Sequence, residues 1–107
     1  LGYADGYPRS FSGRAHVLKD GRKCPVLGRV CMDMTIVQLA EDEDPEQTVT
    51  VMGSDGDLEL WADQLAQWHD TIPYEILCSF SQRLPRIYHE NGRTIALKTE
   101  QELQSVP

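Results

Sequence analysis

The positions of apolar and polar residues in the first third of the chain are typical of β-strands. Two β-compatible runs, Ala15–Lys19 and Arg22–Leu27, flank Asp20 and Gly21. An Asp-Gly pair between such runs predicts a two-residue hairpin, because both turn residues need a positive φ. Pro25 has no backbone N–H, so we expect its strand to be an edge strand or to be irregular at that position.

The next run, Arg29–Leu39, is largely apolar at both odd and even positions. That pattern predicts a long strand that is buried on both faces. Arg29 and Asp33 would share one face of this strand, and a buried charge needs a partner or a ligand. The acidic run that follows, Ala40–Gln47, predicts a solvated loop, because it lacks the alternating spacing and the glycine of a calcium loop.

Short strands and short helices are expected in the middle of the chain. The β-branched run Thr48–Met52 predicts a strand, closed by a turn at Gly53–Asp57. A broad apolar face that begins at Leu58 predicts a helix ending near His69 and Asp70.

A second helix and a second hairpin are predicted further along. Thr71–Ser81 has a suitable N-cap in Thr71, and Pro73 is tolerated in the first helical turn, where its missing N–H would be unpaired anyway. The Glu90–Gly92 segment separates two β-compatible runs and indicates a hairpin. Together these elements give at least six strands and two short helices, so the predicted fold class is mostly β.

Composition narrows the possible functions. The chain has 107 residues, of which 40% are hydrophobic and 25% charged, as in one globular domain. Its net charge of −7, without a long basic cluster, argues against a nucleic-acid partner. It has neither an apolar run near the ~18 residues of a membrane helix nor a recognisable secretion signal, so we expect no membrane partner and a cytoplasmic location.

Cysteines and histidines indicate no catalytic or metal site. The cysteines are odd in number and lie in apolar stretches, which predicts three buried reduced thiols: Cys24, Cys31 and Cys78. The histidines lie far apart beside charged or turn residues, which predicts surface positions for His16, His69 and His89. The sequence also lacks a serine elbow, a phosphate loop and a paired cysteine motif.

Three segments carry more functional residue types than a turn or strand requires. Gly2–Arg9 places two aromatics, a carboxylate and a guanidinium in a loop whose glycines allow close approach to a ligand. Gly28–Asp33 places a charge at each side of the predicted buried strand. Thr71–Glu75 places the Tyr74 phenol near a helix N-terminus, where a phosphate is favoured. A purely structural interpretation of each segment, as turn glycines, an ion pair and a core tyrosine, stays open.

These segments resemble, in order and spacing, the C-terminal β domain of alanine racemases. The motifs that carry the resemblance are Gly2–Arg9, Gly28–Thr35, Thr71–Cys78 and Arg83–Tyr88. The resemblance implies a small barrel-like β domain with two short helices over residues 1–98. Residues 99–107 would form a polar, acidic C-terminal tail that is compatible with a short helix.

The resemblance also implies an activity and partners. Alanine racemases are pyridoxal-phosphate isomerases that interconvert L- and D-alanine for peptidoglycan synthesis. They are head-to-tail dimers, in which an N-terminal (β/α)8 barrel carries the cofactor and the partner's β domain closes the site. The implied partners are therefore the barrel domains of the same and of the partner subunit, and a small amino-acid substrate.

Seven residues receive roles from the resemblance. Met32 matches the residue that helps to bind the substrate carboxylate, and Tyr74 matches the tyrosine that reaches the cofactor phosphate. The remaining five match or adjoin residues along the substrate corridor: Tyr3, Arg9, Arg29, Asp33 and Ile72.

The chain lacks the groups that perform racemisation in this family. A two-base mechanism needs a proton acceptor on each face of the carbanion and an electron sink. In the family the cofactor-bearing lysine lies in the barrel and the opposing tyrosine base precedes the segment matching Gly2. Neither precedes Leu1 here, so we expect a fragment that is inactive alone and binds no cofactor. A non-catalytic β module used for dimerisation or ligand binding stays open as the alternative.

Overall fold

The computed structural model describes residues 1–41, 44, 47–99 and 103–105. Two short 3₁₀ helices, Tyr3–Asp5 and Arg9–Phe11, begin the chain. The other elements are β1 (His16–Lys19), β2 (Arg22–Leu27), β3 (Ile36–Val37), β4 (Gly53–Asp55), β5 (Leu58–Leu60), α1 (Ala62–His69), α2 (Pro73–Ser79), β6 (Arg86–Glu90), β7 (Arg93–Lys98) and β8 (Leu103–Ser105). The predicted fold class, mostly β with two short helices, is confirmed.

The first hairpin forms as predicted. Asp20 and Gly21 have φ values of 52° and 74°, and β1 and β2 pair from His16↔Pro25 to Lys19↔Arg22. However, β2 is the central strand of the order β1-β2-β3, so it is not an edge strand. Pro25 is tolerated because the β2–β3 pairing begins only after it, at Val26, and because its carbonyl accepts the N–H of Gln38 at 3.0 Å.

The long buried strand predicted over Arg29–Leu39 is wrong. Only Ile36–Val37 is a strand, and Arg29 and Asp33 are exposed rather than buried as a pair. Met34 is 60% exposed. Met32 and Ile36 are also exposed, whereas Val30 is buried in the core.

The segment between the acidic run and α1 also differs from the prediction. Of the predicted strand at Thr48–Met52, only Thr50 pairs, in an isolated bridge with Leu18. Gly53–Asp55, predicted as a turn, is β4, and Leu58–Leu60, predicted as helix, is β5. Gly56, with a φ of 60°, lies between these two strands and permits the tight connection. Residues 42, 43, 45 and 46 of the predicted acidic loop lie outside the described residues, and residues 41, 44 and 47 are exposed.

Both predicted helices form, but α1 begins only at Ala62, and the N-cap of α2 is Ile72 rather than Thr71. Helix α1 ends at His69, and Asp70 adopts the left-handed conformation with a φ of 55°. The N–H of Thr71 donates to the carbonyl of Ala66 at 2.9 Å. Thr71 is therefore used to close α1 in a Schellman-type ending, and Pro73 starts α2 without a side-chain cap.

The hydrophobic core lies where the β1–β2 hairpin, the second 3₁₀ helix and the two α-helices meet. Phe11 is fully buried at its centre, with edge-on ring contacts to Tyr7 at 4.8 Å and to Trp68 at 5.5 Å between centroids. The buried members of the core are Tyr7, Phe11, Ala15, Leu18, Val26, Val30, Leu60, Leu65, Ala66 and Ile76.

The last sheet contains β6, β7 and β8 in that order. The predicted second hairpin is confirmed, because Asn91 and Gly92 have φ values of 52° and 76° and join β6 to β7. In the described part of the tail, residues 103–105 form a strand paired with β7 rather than the short helix considered there. No helix in the described part of the chain is long and apolar enough to cross a bilayer.

Candidate functional site

All seven predicted site residues lie at the surface. The apolar and aromatic members range from 45% exposed for Tyr3 to 76% exposed for Tyr74. A large contiguous patch of exposed apolar side chains marks a binding surface, whereas single exposed apolar residues are ordinary at protein surfaces.

Backbone hydrogen bonds join the Tyr3 segment to the Met32 segment. The N–H of Tyr3 donates to the carbonyl of Cys31 at 2.9 Å, and the N–H of Ala4 donates to the carbonyl of Met32 at 2.8 Å. A Cβ atom on Gly2 would overlap both of those carbonyl groups. Glycine is therefore needed at position 2 for close approach of the two backbones.

The backbone N–H of Met32 is not used by the contacts that hold its loop. The carbonyls of Cys31 and Met32 are both used by the Tyr3 segment, and the N–H of Cys31 donates to the carbonyl of Met34 at 3.0 Å. Among the described residues, the N–H of Met32 has no acceptor. An unpaired N–H in a loop held on both sides is suited to bind a carboxylate.

Arg9 and Arg29 lie on segments that Ser12 connects. The Ser12 hydroxyl donates to the carbonyl of Arg9 at 2.6 Å and accepts the N–H of Val30 at 2.9 Å. This bridge holds the 3₁₀ helix that carries Arg9 against the residue that follows Arg29. Both guanidinium groups are exposed, and neither forms an ion pair with a described residue.

The segment carrying Ile72 and Tyr74 approaches the others through a serine–histidine contact. Ser10 Oγ lies 2.6 Å from His69 Nδ1, which links the 3₁₀ helix of Arg9 to the end of α1, three residues before Ile72. The side chain of Tyr74 makes no hydrogen bond with any described residue. Hydrogen bonds thus connect the Tyr3 segment to the Met32 segment and the Arg9 helix to Val30, next to Arg29, whereas Tyr74 lies in α2.

Two of the three histidines are not the surface residues that were predicted. His69 is half-buried, with its ring 6.3 Å from that of Phe11, and the half-buried His16 ring lies 5.0 Å from that of Trp68. Burial, together with the positive charge of Lys23, lowers the pKa of His16 below its ordinary value. His89 is exposed, as predicted.

The cysteine prediction is correct for one residue. Cys24 is buried, whereas Cys31 and Cys78 are exposed because the apolar stretches that contain them lie at the surface. In the part of the chain that the structure describes, no group of three histidine, cysteine or acidic residues could hold a metal ion.

The sequence interpretation did not assign a role to Asp5, Ser12 or Arg83. Asp5 Oδ2 accepts the N–H of Gly2 at 2.9 Å, and Arg83 Nε lies 3.5 Å from Asp5 Oδ1. The carboxylate three residues after Gly2, at a predicted loop, was a signal for a local backbone contact. Ser12 and Arg83 carried no such signal, because the partners that connect them to the site, Val30 and Asp5, are distant along the chain.

Comparisons with known proteins agree on one family. The family model described as "Alanine racemase, C-terminal domain" matches residues 1–88. An alanine racemase from Pediococcus pentosaceus is 46% identical over 92 residues, which are 86% of this chain and 24% of that protein. One from Listeria monocytogenes serotype 1/2a is 47% identical over 88 residues, covering 82% of this chain and 24% of that protein.

Solved structures give the same result. A crystal structure of an alanine racemase from Bacillus anthracis with bound L-Ala-P superimposes with a TM-score of 0.87 and 38% identity, over 94% of this chain and 26% of that one. A racemase from Bartonella henselae with covalently bound pyridoxal phosphate has a TM-score of 0.65 and 33% identity, over 76% of this chain and 22% of that one. The chain therefore spans about a quarter of the length of the proteins to which it is similar.

Proposed function

Since the chain belongs to the alanine racemase C-terminal domain family, we propose that it forms one wall of the active site of a pyridoxal-phosphate-dependent alanine racemase. In this proposal the rest of the enzyme supplies the cofactor-binding barrel, and the chain closes the site of the partner subunit in a dimer. The reaction would interconvert L- and D-alanine, with D-alanine used for peptidoglycan.

The unpaired N–H of Met32 is the observation that carries the proposal. It lies in an exposed loop whose neighbouring carbonyls are held by Tyr3 and Ala4. A backbone N–H held in this way binds a carboxylate without the entropy cost of ordering a side chain. We therefore assign Met32 to the substrate carboxylate, with Asp33 beside it.

The corridor would be lined by side chains of both charges and by apolar groups. Tyr3, Arg9, Arg29 and Ile72 are exposed on segments that hydrogen bonds connect. The two guanidinium groups lack carboxylate partners among the described residues, so they are available to attract an anionic substrate group. Their role would be to guide a small amino acid towards Met32.

The residues present fit the cofactor at its phosphate only. The Tyr74 phenol is exposed and its hydroxyl has no described partner, as a phosphate-binding role requires. Of the lysines of the predicted domain, Lys19 is buried and bonds Asp20 at 2.9 Å, and Lys23 and Lys98 lie on strands of different sheets. When bound, pyridoxal phosphate supplies the electron sink for removal of the Cα proton. This chain would contribute the Tyr74 hydroxyl and a wall that excludes water.

A reducing compartment is consistent with the exposed thiols. Cys31 and Cys78 are free and exposed. Free surface thiols persist in the cytoplasm and are rare in oxidising compartments. We therefore place the racemase in the cytoplasm.

The proposal can be tested by replacing the matching segment of the Listeria monocytogenes racemase with this chain. We expect the fusion protein to form D-alanine from L-alanine. We expect the chain alone to form no D-alanine and to bind no pyridoxal phosphate in an absorbance titration, because it lacks the cofactor-bearing lysine and the tyrosine base. D-alanine formation or cofactor binding by the chain alone would contradict the proposal. A folded, dimeric fusion without racemase activity would favour the non-catalytic module instead.

A further inference from the structure

Asp5 is a buried carboxylate that is not among the substrate-binding, corridor or cofactor-binding residues of the proposed function. The residue is only 7% exposed and lies in the first 3₁₀ helix, between Tyr3 and Gly6. A buried carboxylate is costly unless its oxygens are hydrogen-bonded or paired with a cation. Its partners therefore show what it is used for.

Both carboxylate oxygens of Asp5 have partners. Oδ2 accepts the N–H of Gly2 at 2.9 Å, and Oδ1 lies 3.5 Å from Nε of Arg83. The backbone of Asp5 is also used, because its N–H donates to the carbonyl of Gly2 and its carbonyl accepts the N–H of Ser81, both at 3.0 Å. Asp5 thus connects the start of the chain to the segment that follows α2.

The Gly2 contact fixes the backbone that holds Met32. Gly2 directly precedes Tyr3 and Ala4, whose N–H groups donate to the carbonyls of Cys31 and Met32. Gly2 has an extended backbone with φ −149° and ψ −163°, and a Cβ atom on it would overlap the carbonyl groups of Cys31 and Met32. A small rotation at Gly2 would therefore move the Tyr3 and Ala4 donors away from their acceptors.

A second contact holds the opposite side of the same helix. A Cβ atom on Gly6 would overlap the carbonyl of Ser79, and the Ser79 hydroxyl lies 3.3 Å from the carbonyl of Gly6. Gly6 has a φ of 99°, a value that residues with a side chain rarely adopt. The helix is thus clamped between the Met32 loop and the end of α2, with Asp5 in the middle.

We infer that Asp5 is a positioning residue, which orients the Met32 amide through Gly2, Tyr3 and Ala4. The inference rests on the proposed function only for the identity of the ligand, a substrate carboxylate. The negative charge of Asp5 contributes to this positioning as well as its acceptor oxygen, because Oδ1 is paired with the guanidinium group of Arg83. Loss of Asp5 would leave the fold around Phe11 in place and loosen the substrate-binding loop.

The first experiment measures amide hydrogen exchange by NMR in the chain alone. Asp5→Asn is expected to accelerate exchange of the Tyr3 and Ala4 amides by about tenfold or more. The β1–β2 hairpin amides should change little. The matched control is Asp57→Asn, an exposed carboxylate in the β4–β5 turn. Equal acceleration at the loop and in the hairpin would show a purely structural role and overturn the inference.

The second experiment uses the fusion racemase. Asp5→Asn keeps one acceptor for Gly2 and is expected to raise KM for L-alanine about threefold, whereas Asp5→Ala raises it about tenfold, both with little change in kcat. Arg83→Gln should raise KM in the same direction by less, because its side chain is half-exposed. An unchanged KM in folded, active Asp5 variants would overturn the inference.

The two experiments separate this inference from the proposed function. If the unsubstituted fusion is inactive, the proposed function fails, while hydrogen exchange still decides whether Asp5 orders the Met32 loop. If Asp5→Ala does not fold, the comparison of Asp5→Asn with Asp57→Asn decides the same question.

Discussion

The β1–β2 hairpin and residues 31–36, which carry Met32, are both rich in apolar residues, yet only the hairpin contributes side chains to the core. Leu18 in β1 is fully buried against Phe11 and its neighbours, whereas Met32 is 55% exposed. The buried apolar side chains of the hairpin are covered by other residues of the same chain. The apolar side chains of residues 31–36 face outward, and under the proposed function the barrel domain would cover them. An apolar run therefore indicates that burial is needed, and does not indicate which polypeptide provides it.

The largest difference between the two regions is expected in stability. Phe11→Ala removes a fully buried ring at the centre of the core, so it should lower the free energy of unfolding by about 3–5 kcal/mol. Urea denaturation of the chain monitored by circular dichroism measures this change. Met34→Ala is the matched control in the exposed loop. A loss below about 1 kcal/mol for Phe11→Ala would mean that the core is not centred on this ring.

In the exposed loop, the largest effect is expected on substrate binding by the fusion racemase. Met32→Pro deletes the amide hydrogen, and a hydrogen bond to a charged group contributes about 1.5–3 kcal/mol, so KM for L-alanine should rise at least tenfold. Met32→Ala retains the amide and should have a smaller effect. Equal kinetic effects in two folded variants would refute the backbone role.

Alkaline titration probes the buried region through Tyr7. Burial raises the pKa of Tyr7 to about 12, and its hydroxyl has no hydrogen-bond partner among the described residues. The unfolded chain releases this proton near pH 10 and the folded chain only near pH 12, so stability present below pH 10 is lost as the pH rises. We expect a loss of about 2 kcal/mol between these values, measured by urea denaturation. Tyr7→Phe should abolish that part of the loss, and an unchanged pH profile would exclude Tyr7 as its source.

Cofactor retention tests the exposed start of α2. Tyr74→Phe in the fusion racemase should weaken pyridoxal-phosphate binding about tenfold, because one hydrogen bond to a phosphate is lost. The melting temperature should not change, since the Tyr74 side chain is exposed and makes no hydrogen bond within the described chain. A lower melting temperature with unchanged cofactor affinity would indicate a structural tyrosine instead.

The smallest effect on stability is expected for a polar substitution at an exposed apolar residue of β3. Ile36→Thr keeps a β-branched side chain in β3, where the residue is 64% exposed. In the chain alone, the free energy of unfolding should change by less than about 0.5 kcal/mol. In the fusion racemase, the same substitution should weaken dimerisation, measured by analytical ultracentrifugation. A large loss of stability in the chain alone would show that Ile36 is covered within this domain.

Local sequence signals predicted the elements that short-range chemistry decides. Asp20 and Asn91, each followed by glycine, adopt the positive φ values that their hairpins require. Pro73 starts a helix, and His69 ends one, close to the predicted positions. These features depend on a few neighbouring residues, so the sequence determines them without knowledge of the fold. The motif order was likewise sufficient to identify the family.

Tertiary structure decided what depends on distant partners. Thr71 was a reasonable N-cap from its neighbours, but its N–H closes α1 through Ala66. Arg29–Leu39 had the pattern of a buried strand, but only β3 pairs, and only Val30 of the segment is buried in the core. Asp5 acquires its importance from Arg83 and Ser81, which are more than seventy residues away. Burial and pairing are properties of the assembled surfaces, so they follow from the fold rather than from the pattern of any single segment.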